Sequence, residues 1–510
     1  MPILHWLNKE QAACQAKNCD YRLIEEVPSL SHGEADSENL LIQGDNLEAL
    51  KALIPFYAGK VKCVFIDPPY NTKSAFEHYD DNLEHSKWLS LMYPRLELLR
   101  ELLSEDGSIW VTLDDNEAHY FKVIMDEIFG RRGFVANIVW QKRTSPDFRK
   151  VLGGGHDNIL VYSKDSSSFK EQASLLPLSE KQKKEYKNPD KDPLGDWVSR
   201  DFSAQGYRPN QMYKITTPSG NEYYPPEGSC WKNVEEAYLK QLAEGRFWFG
   251  RDGKGVPRRK KYLSETAGKQ SWTWWTNEEV GHNQEAKKEI NAIFGASNAF
   301  DTPKPERLIE RILHIATNEG DLVLDSFLGS GTAAAVAHKM KRCYIGIEIG
   351  EHAESHCQPR LQKVVDGEQG GISKAVDWKG GGGFKFVRLG QAVFDEHGSL
   401  STSIKFPTLA AHVWFLETKQ PMAEKKRSAY LGVHAETAYY LLYNGILGDR
   451  RPNFGNVLTS KVIKSLPSFC EHQKHNRTIV IYGESTRLGE ARLRKEHITF
   501  KQIPYDVGAL

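Results

Sequence analysis

Short apolar runs alternate with helix-period stripes from residue 40 to about residue 142. The longest stripe includes Trp88, Leu99 and Leu103, and Pro94 is expected to kink or divide its helix. The apolar runs predict strands over residues 40–42, 62–66, 109–113 and 138–140. This alternation predicts an α/β fold with a parallel, doubly wound sheet.

The pattern changes over residues 143–297, where charged and aromatic residues and a glycine triplet replace the regular alternation. Interleaved basic and aromatic side chains suit a nucleic-acid surface. The alternative is an inserted domain with its own small aromatic core. Regular α/β structure resumes at Thr302 with an apolar helical stripe that Gly320 ends.

A glycine tract at residues 380–383 predicts a turn or linker ahead of a tail region. The tail holds strand candidates and one helix-like stretch, and no catalytic constellation is visible in it. We therefore divide the chain into an N-terminal segment 1–37, an α/β half 38–142, an insertion 143–297, a second α/β half 298–390 and a smaller α+β C-terminal domain 391–510, which is a candidate docking surface for a partner.

One motif follows directly on the predicted strand 62–66 and consists of Asp67, Pro68, Pro69 and Tyr70. An acid, two prolines that stiffen the turn and an aromatic ring suit the binding of a flat heterocycle with an exocyclic amine. The carboxylate and the Pro68 carbonyl can each accept a hydrogen bond, and the ring can stack on the base. The alternative is a proline-stiffened turn without chemistry.

A second motif joins two predicted strands, 322–325 and 344–348, which end in Asp325 and Glu348. Between them lie the glycine-rich turn 327–332 and the start of a helix. An acid about 20 residues beyond such glycines can hold ribose hydroxyls. Residues 329–334 also fit G-x-G-x-x-A, so a nicotinamide site is an alternative, although no hydride-transfer constellation accompanies it. A glycine turn used only for packing is another.

The 510-residue chain has 67 basic and 67 acidic residues, so its net charge does not by itself indicate nucleic-acid binding. The local distribution of charge matters more. Two basic clusters could contact phosphates, and the alternative for each is a solvated charged face. The residues concerned are Lys142 and Arg143, and then Arg258, Arg259, Lys260 and Lys261.

Seven scattered cysteines without a C-x-x-C pair indicate reduced thiols, with neither a disulfide framework nor a metal site. No apolar run approaches the roughly 18 residues that cross a bilayer, and the N-terminus lacks the features of a signal peptide. We therefore expect a cytoplasmic protein.

The order of the two motifs, with a long insertion between them, resembles β-class amino-group DNA methyltransferases over residues 40–390. The catalytic half and the stretch 370–384 are more narrowly similar to modification (Mod) subunits of type III restriction-modification systems. The resemblance implies a Rossmann-like, S-adenosylmethionine-dependent methyltransferase fold with residues 143–297 as a target-recognition domain. It also implies double-stranded DNA as substrate, a flipped-out target base, a homodimer and a separate helicase–nuclease partner.

By the same resemblance, Asp67 to Tyr70 would be catalytic, and F-x-G-S-G-T would be the S-adenosylmethionine loop. The residues that the resemblance implies for cofactor binding are Asp45, Asn46, Asp67, Lys304, Asp325, Phe327, Gly329, Ser330, Gly331, Thr332 and Glu348.

In the resembling family an acid at the position of Asp67 favours adenine N6 as the methylated atom. Serine at that position favours cytosine N4, which stays an alternative here. Carbon-5 cytosine methylation needs a cysteine within Pro-Cys, and no cysteine in this chain follows a proline. No G-x-x-x-x-G-K-[ST] loop is present, so DNA cleavage in a restriction or related phage-defence system would need another polypeptide. The non-enzymatic alternative is a recognition subunit that positions such a partner.

Overall fold

The computed structural model describes residues 3–71, 84–146, 151–295, 300, 302–394, 400–423, 426–452, 455–503 and 505–507. The chain divides into two compact units. The larger unit comprises Met1–Ser174 together with Trp272–Leu510, and the smaller unit is Leu175–Ser271.

The first part of the larger unit alternates strands and helices as the apolar pattern predicts. Its strands are β1 (Arg22–Glu26), β2 (His32–Gly33), β3 (Leu40–Gln43), β4 (Val61–Ile66), β5 (Leu103–Leu113), β6 (Phe134–Gln141) and β7 (His156–Ser163). Its helices are α1 (Lys9–Asn18), α2 (Asn46–Tyr57), α3 (His85–Leu102), α4 (Ala118–Ile128) and α5 (Ser166–Gln172). Pro94 lies inside α3 and does not divide it.

The smaller unit contains short strands and two helices. These are α6 (Glu180–Lys183), β8 (Trp197–Asp201), β9 (Ser203–Gln205), β10 (Ile215–Thr216), β11 (Glu222–Tyr223), β12 (Ser229–Trp231), α7 (Glu235–Ala243), β13 (Phe247–Trp248) and β14 (Arg258–Tyr262). Its core is largely aromatic and includes Phe202, Trp231, Tyr238 and Phe247. This unit is shorter than the predicted insertion 143–297, because β7 and α5 on one side and the segment after residue 271 on the other belong to the larger unit.

The chain re-enters the larger unit through β15 (Trp274–Trp275). The elements that follow are α8 (Asn277–Val280), α9 (Asn283–Phe294), α10 (Glu306–Ala316), β16 (Leu322–Asp325), α11 (Thr332–Lys339), β17 (Cys343–Glu348), α12 (Gln358–Val365) and β18 (Gly383–Ala392). Both flanks of the insertion pack on one side chain, since the Trp110 ring lies 6.5 Å from that of Phe169 in α5 and 6.3 Å from that of Trp275 in β15.

The main sheet has the strand order β1-β18-β3-β17-β16-β4-β5-β7-β6-β15, and β2 pairs with β18. The six strands from β18 to β5 are mutually parallel. On the flanks, β1 is antiparallel to β18, and β7 is antiparallel to both β5 and β6. The predicted α/β, doubly wound fold is confirmed, with its parallel part confined to the centre of a mixed sheet.

At residues 380–383, where the sequence predicts a turn or a linker, the linker alternative is wrong, because Gly383 begins β18, which pairs directly with β3 in the main sheet. Gly380, Gly381 and Gly382 all have positive φ, which is compatible with the turn. The remaining elements are α13 (Phe406–Thr418), β19 (Tyr430–His434), β20 (Thr437–Leu441), β21 (Val457–Leu458), α14 (Ser460–Ser465), α15 (Phe469–Lys474), β22 (Thr478–Gly483), β23 (Ser485–Thr486), α16 (Glu490–Lys495) and β24 (Ile498–Gln502). They include a four-stranded sheet in the order β19-β20-β22-β24.

The tail packs against the front of the chain. Leu409 and Val413 share one apolar cluster with Tyr21, Leu23 and Ala52. The Met422 amide donates to the Pro55 carbonyl at 3.0 Å, where α2 ends. The region 391–510 is therefore part of the larger unit. Within the described residues, no helix is both long and apolar enough to cross a membrane.

Candidate active site at the carboxyl edge of the parallel strands

Acidic side chains follow the central strands at one edge of the sheet. Asp45 comes just after β3, Glu348 ends β17, Asp325 ends β16, and Asp67 and Asp114 come directly after β4 and β5. These five strands are neighbours and parallel, so their carboxyl ends lie at the same edge. Ligands of open α/β sheets bind at this edge.

Both carboxylate oxygens of Asp67 are engaged. Oδ1 accepts a hydrogen bond from Thr112 Oγ1 of β5, and Oδ2 forms an ion pair with Lys304 Nζ. Asp67 keeps 21 % of its side chain exposed, whereas Thr112 is fully buried. The acid is thus held in one orientation while remaining accessible.

The carbonyl groups of the two prolines in the first motif differ in their hydrogen bonding. The Pro69 carbonyl accepts from the buried Trp88 indole at 2.7 Å, which fixes the turn. No described residue donates a hydrogen bond to the Pro68 carbonyl. That oxygen, next to Asp67, is therefore available as a second acceptor.

Tyr70 lies between two lysine–carboxylate pairs. Its hydroxyl donates to Asp157 Oδ2 at 3.2 Å, and Asp157 also pairs with Lys142. The ammonium groups of Lys142 and Lys304 lie 5.7 and 5.1 Å from the ring centroid. Burial raises the pKa of Tyr70 well above its usual range, so the phenol stays protonated. Lys142, predicted from sequence to contact phosphates, thus lies beside the first motif, and Arg143 next to it is exposed.

The glycine-rich turn is fixed by the two acids of the second motif. Asp325 accepts from the Phe327 amide at 2.9 Å, and Glu348 accepts from the Gly329 amide at 2.7 Å. Gly329 and Gly331 have φ of 56° and 79°, a region that disfavours side chains with a Cβ. Burial, together with the charges of Asp67 and Glu348, raises the pKa of Asp325 well above its usual range.

Ser330 and Thr332 in the same turn are buried, and their hydroxyl oxygens lie 3.0 Å apart. Phe327 is half-buried and packs against the main core. The predicted residues of this turn are therefore brought together at the carboxyl edge of β16.

Asp45 and Asn46 have evident structural partners. Asp45 caps α2 by accepting from the Leu47 amide at 2.8 Å, and it pairs with Arg95 at 3.0 Å. Asn46 donates to the Ser326 carbonyl at 2.7 Å. These contacts join the start of α2 to the turn that follows β16, next to the glycine-rich loop.

The donor set of this edge fits a cationic nucleoside cofactor. Asp67, Asp325 and Glu348 supply carboxyl oxygens, and the buried Ser326 hydroxyl has no hydrogen-bond partner among the described residues. S-adenosylmethionine carries a sulfonium and an ammonium against one carboxylate, so acidic surroundings complement its net positive charge. No group of three or more His, Cys, Asp or Glu side chains among the described residues could hold a metal ion.

The second basic cluster lies on β14 in the smaller unit, where alternate side chains face opposite ways. Arg259 and Lys261 are exposed, and Arg258 pairs with Asp201 at 2.6 Å. The prediction for Lys260 is wrong. Its side chain is only 5 % exposed, and it forms ion pairs with Asp190 and Asp192, both at 2.5 Å, so it is not available to phosphates.

Two residues of the site were not found from the sequence. Thr112 and Asp157 both touch the first motif from neighbouring strands, β5 and β7. Both are almost fully buried. Thr112 has a sequence signal, a polar residue within an apolar run, whereas Asp157 has none, because it stands between His156 and Asn158 at the start of β7. A buried polar residue near a strand's carboxyl end, as Thr112 is, could have been examined for this role.

The sequence matches the N6/N4 methyltransferase family model, described as DNA methylase, over residues 61–358. This match covers more than half of the chain and contains both strand-end motifs. The chain belongs to this family of DNA methylases.

Particular relatives include two Mod subunits of type III restriction-modification enzymes. The chain is 37 % identical to the StyLTI Mod subunit of Salmonella typhimurium over 65 % of its own length, and 33 % identical to the probable HindVI Mod subunit of Haemophilus influenzae over 71 %. Each alignment covers 55 % of the relative, so the chain spans about half the length of these curated proteins. It is also 28 % identical to the type II methyltransferase M.KpnI of Klebsiella pneumoniae, over 62 % of the chain and 79 % of that protein.

Proposed function

We propose that this protein is a DNA methyltransferase that transfers a methyl group from S-adenosylmethionine to the N6 amine of adenine. The observation that carries the proposal is that the Asp67 carboxylate and the Pro68 carbonyl, two hydrogen-bond acceptors, are adjacent beside an acidic sheet edge. An exocyclic amine has two N–H groups, and these two acceptors can take one each.

S-adenosylmethionine supplies a methyl group on a sulfonium, whose neutral thioether is a good leaving group. Glu348 would hold ribose hydroxyls, and the turn 327–332 would enclose the cofactor from the β16 side. Asp325, the other acid of the second motif, ends β16, the strand next to β4 that leads into Asp67. Asp45 and Asn46 would support the adenosine end of the cofactor through the helix start that they fix.

The protein has to present the amine nitrogen and stabilise the positive charge that develops on it. Asp67 can do both, because its carboxylate accepts a hydrogen bond and is negatively charged. Thr112 supports the orientation of this carboxylate, and Lys304 has to share or release Oδ2 when the amine arrives. Tyr70 would stack on a base that has left the duplex, which offsets about 1–3 kcal/mol of the unstacking cost.

The base is proposed as adenine because an acid occupies the first motif position and because the relatives named above include type III Mod subunits. The test is mass spectrometry of DNA after incubation with the purified protein and isotopically labelled S-adenosylmethionine. We expect labelled N6-methyladenine, and no label with Asp67→Ala. Labelled N4-methylcytosine alone would contradict the base assignment, and no labelled base at all would contradict the function.

We also propose that the insertion reads the DNA sequence, with Arg143, Arg258, Arg259 and Lys261 on the phosphates. Exposed cations next to interleaved aromatic residues support this role. Arg258 would have to exchange its partner Asp201 for a phosphate.

The relatives named as Mod subunits support a place in a type III restriction-modification or related phage-defence system. We propose that the chain acts in the cytoplasm, forms a homodimer and works with a separate helicase–nuclease polypeptide docked on residues 391–510. This region exposes Ile446 and Tyr505, which are 60 % and 81 % accessible. Replacing either with aspartate should reduce co-purification with the partner without lowering methylation. Unchanged co-purification in both variants would contradict docking at these residues.

A further inference from the structure

Glu306, the first residue of α10, is the centre of a buried ionic cluster. Its carboxylate pairs with Lys339 at 2.8 Å and with Arg360 at 2.9 Å. All three side chains are at most 1 % exposed, and Lys339 also pairs with Glu368 at 2.8 Å. Charges buried to this degree are costly unless they are paired, so the arrangement of these groups is tightly determined.

The turn 370–372 closes over this carboxylate. The Ile372 amide donates to Glu306 Oε2 at 3.0 Å, and the Gly370 carbonyl accepts from Lys339 at 3.2 Å. Gly371 has φ of +50°, and a Cβ on it would lie 2.0 Å from Glu306 Oε2. Only glycine fits there. The stretch that begins at residue 370, which resembles type III modification subunits and had no assigned role, thus encloses Glu306.

On its other side, Arg360 holds the glycine-rich turn. Its Nη1 donates to the Ser330 carbonyl at 3.1 Å and to the Thr332 hydroxyl at 2.8 Å, while its Nη2 pairs with Glu306. A planar, forked donor can make these bonds together, and an ammonium group cannot reproduce that geometry. The orientation of the Ser330 peptide therefore depends on Arg360.

Glu306 is two residues beyond Lys304, whose ammonium pairs with the catalytic candidate Asp67. The segment 304–306 thus contacts Asp67 at one end and, through Glu306 and Arg360, the glycine-rich turn at the other. The segment 304–306 therefore has contacts with both proposed halves of the site.

We infer that Arg360 is a positioning residue for cofactor binding, anchored by Glu306 and by the turn 370–372, and that it sets the shape of the turn 329–332. This inference rests on the proposed function, because it takes that turn to bind S-adenosylmethionine.

The test is calorimetric titration with S-adenosylhomocysteine, the demethylated product, together with a DNA-binding assay and thermal melting. Arg360→Lys keeps the positive charge that neutralises Glu306 but loses the planar, forked arrangement of hydrogen-bond donors. We expect its dissociation constant for the product to rise about tenfold or more, with DNA affinity and melting temperature near those of the unaltered protein. Gly371→Ala would displace the Glu306 carboxylate without changing a residue of the glycine-rich turn. It should also raise the dissociation constant for the product.

Arg342→Lys is the matched control, because Arg342 donates to the Thr317 carbonyl at 3.0 Å and to the Met340 carbonyl, and both acceptors lie outside the glycine-rich turn. Its affinity for the product should not change. The inference is overturned if Arg360→Lys binds the product normally. It is also overturned if this variant loses product binding, DNA binding and thermal stability together, since that pattern indicates general destabilisation. Failure of the unaltered protein to bind the product would instead overturn the proposed function and this inference with it.

Discussion

Lys304 and Asp67 form an ion pair although they are 237 positions apart in the chain. Asp67 follows β4, and Lys304 precedes α10, so the pair links the two α/β halves that flank the insertion. The catalytic candidate is therefore oriented by a residue from the second half, and the two halves must be assembled before Asp67 is held in place.

Replacing Asp67 with alanine should abolish methyl transfer while leaving cofactor binding largely in place. In the proposed reaction Asp67 contacts the target amine and only borders the cofactor. Calorimetry with S-adenosylhomocysteine and a methylation assay on the same preparation provide the measurement. A folded variant without any affinity for the product would move Asp67 to a cofactor-binding role.

Glu348→Ala should weaken binding of the cofactor product by about ten- to a hundredfold, or about 1.5–3 kcal/mol, because a charged partner of the ribose hydroxyls is lost. Glu348→Gln separates the loss of the negative charge from the loss of the hydrogen bond to the glycine-rich turn. It retains an oxygen that can accept from the Gly329 amide, so it should lie between alanine and the native residue. A dissociation constant unchanged in both variants would reject the ribose role.

On β14, removing the exposed cations should weaken DNA binding. The double change of Arg259 and Lys261 to serine should lower affinity for all DNA sequences alike and reduce the salt slope by about two. Lys240→Ser, an exposed position on α7, is the control. Lys260→Met should instead lower the melting temperature, because it leaves Asp190 and Asp192 without their buried partner. A changed target sequence in the double variant would mean that these side chains read bases.

Ionisation of Glu97 on α3 should lower the stability of the protein as pH rises. Burial raises its pKa from 4.5 to about 7. Between these values the native state binds the proton and the unfolded state does not, so this group's contribution to stability is lost as pH increases. Glu97→Gln should therefore melt a few degrees above the native protein at pH 8 and show a smaller difference at pH 4. Glu101→Gln, an exposed site on the same helix, provides the control. An equal pH dependence in both variants would contradict the prediction.

Deleting residues 391–510 should unfold or strongly destabilise the chain. The deletion removes most of the apolar cluster that covers Tyr21, Leu23 and Ala52, so this face of the core would become exposed. Thermal melting of the truncated chain checks this result. A truncated chain that melts like the full protein would show that the tail is not required for the stability of the core. The docking role of the tail is better tested by substituting its exposed residues in the chain without a deletion.

The sequence identified the strand-end acids because an apolar run that stops at a charged residue is a local signal. Asp67, Asp325 and Glu348 were found in this way, and all three lie at one sheet edge. Thr112, which orients Asp67, and Arg360, which holds the glycine-rich turn, could not be found in this way. Their contacts join distant positions, because Thr112 lies 45 residues from Asp67 and Arg360 lies 54 from Glu306.

The linker alternative and the Lys260 prediction failed for a similar reason, because distant partners decide both. The glycine tract allowed a turn or a linker, and the pairing of β18 with β3 excludes the linker. Lys260 belongs to a basic run whose alternate members face inward, and its partners Asp190 and Asp192 lie on a separate loop.

The anchoring of both flanks of the insertion on Trp110 has an evolutionary consequence. The chain leaves the larger unit after α5 and returns at β15, and inside the smaller unit its two ends are paired through Leu176 and Lys269, with N···O distances of 2.9 and 2.8 Å. The segment 175–271 is therefore bounded at both ends by fixed attachment points. If this segment reads the DNA, one recombination event that replaces it would give the protein a new target sequence while leaving the sheet, the acids and the glycine-rich turn unaltered.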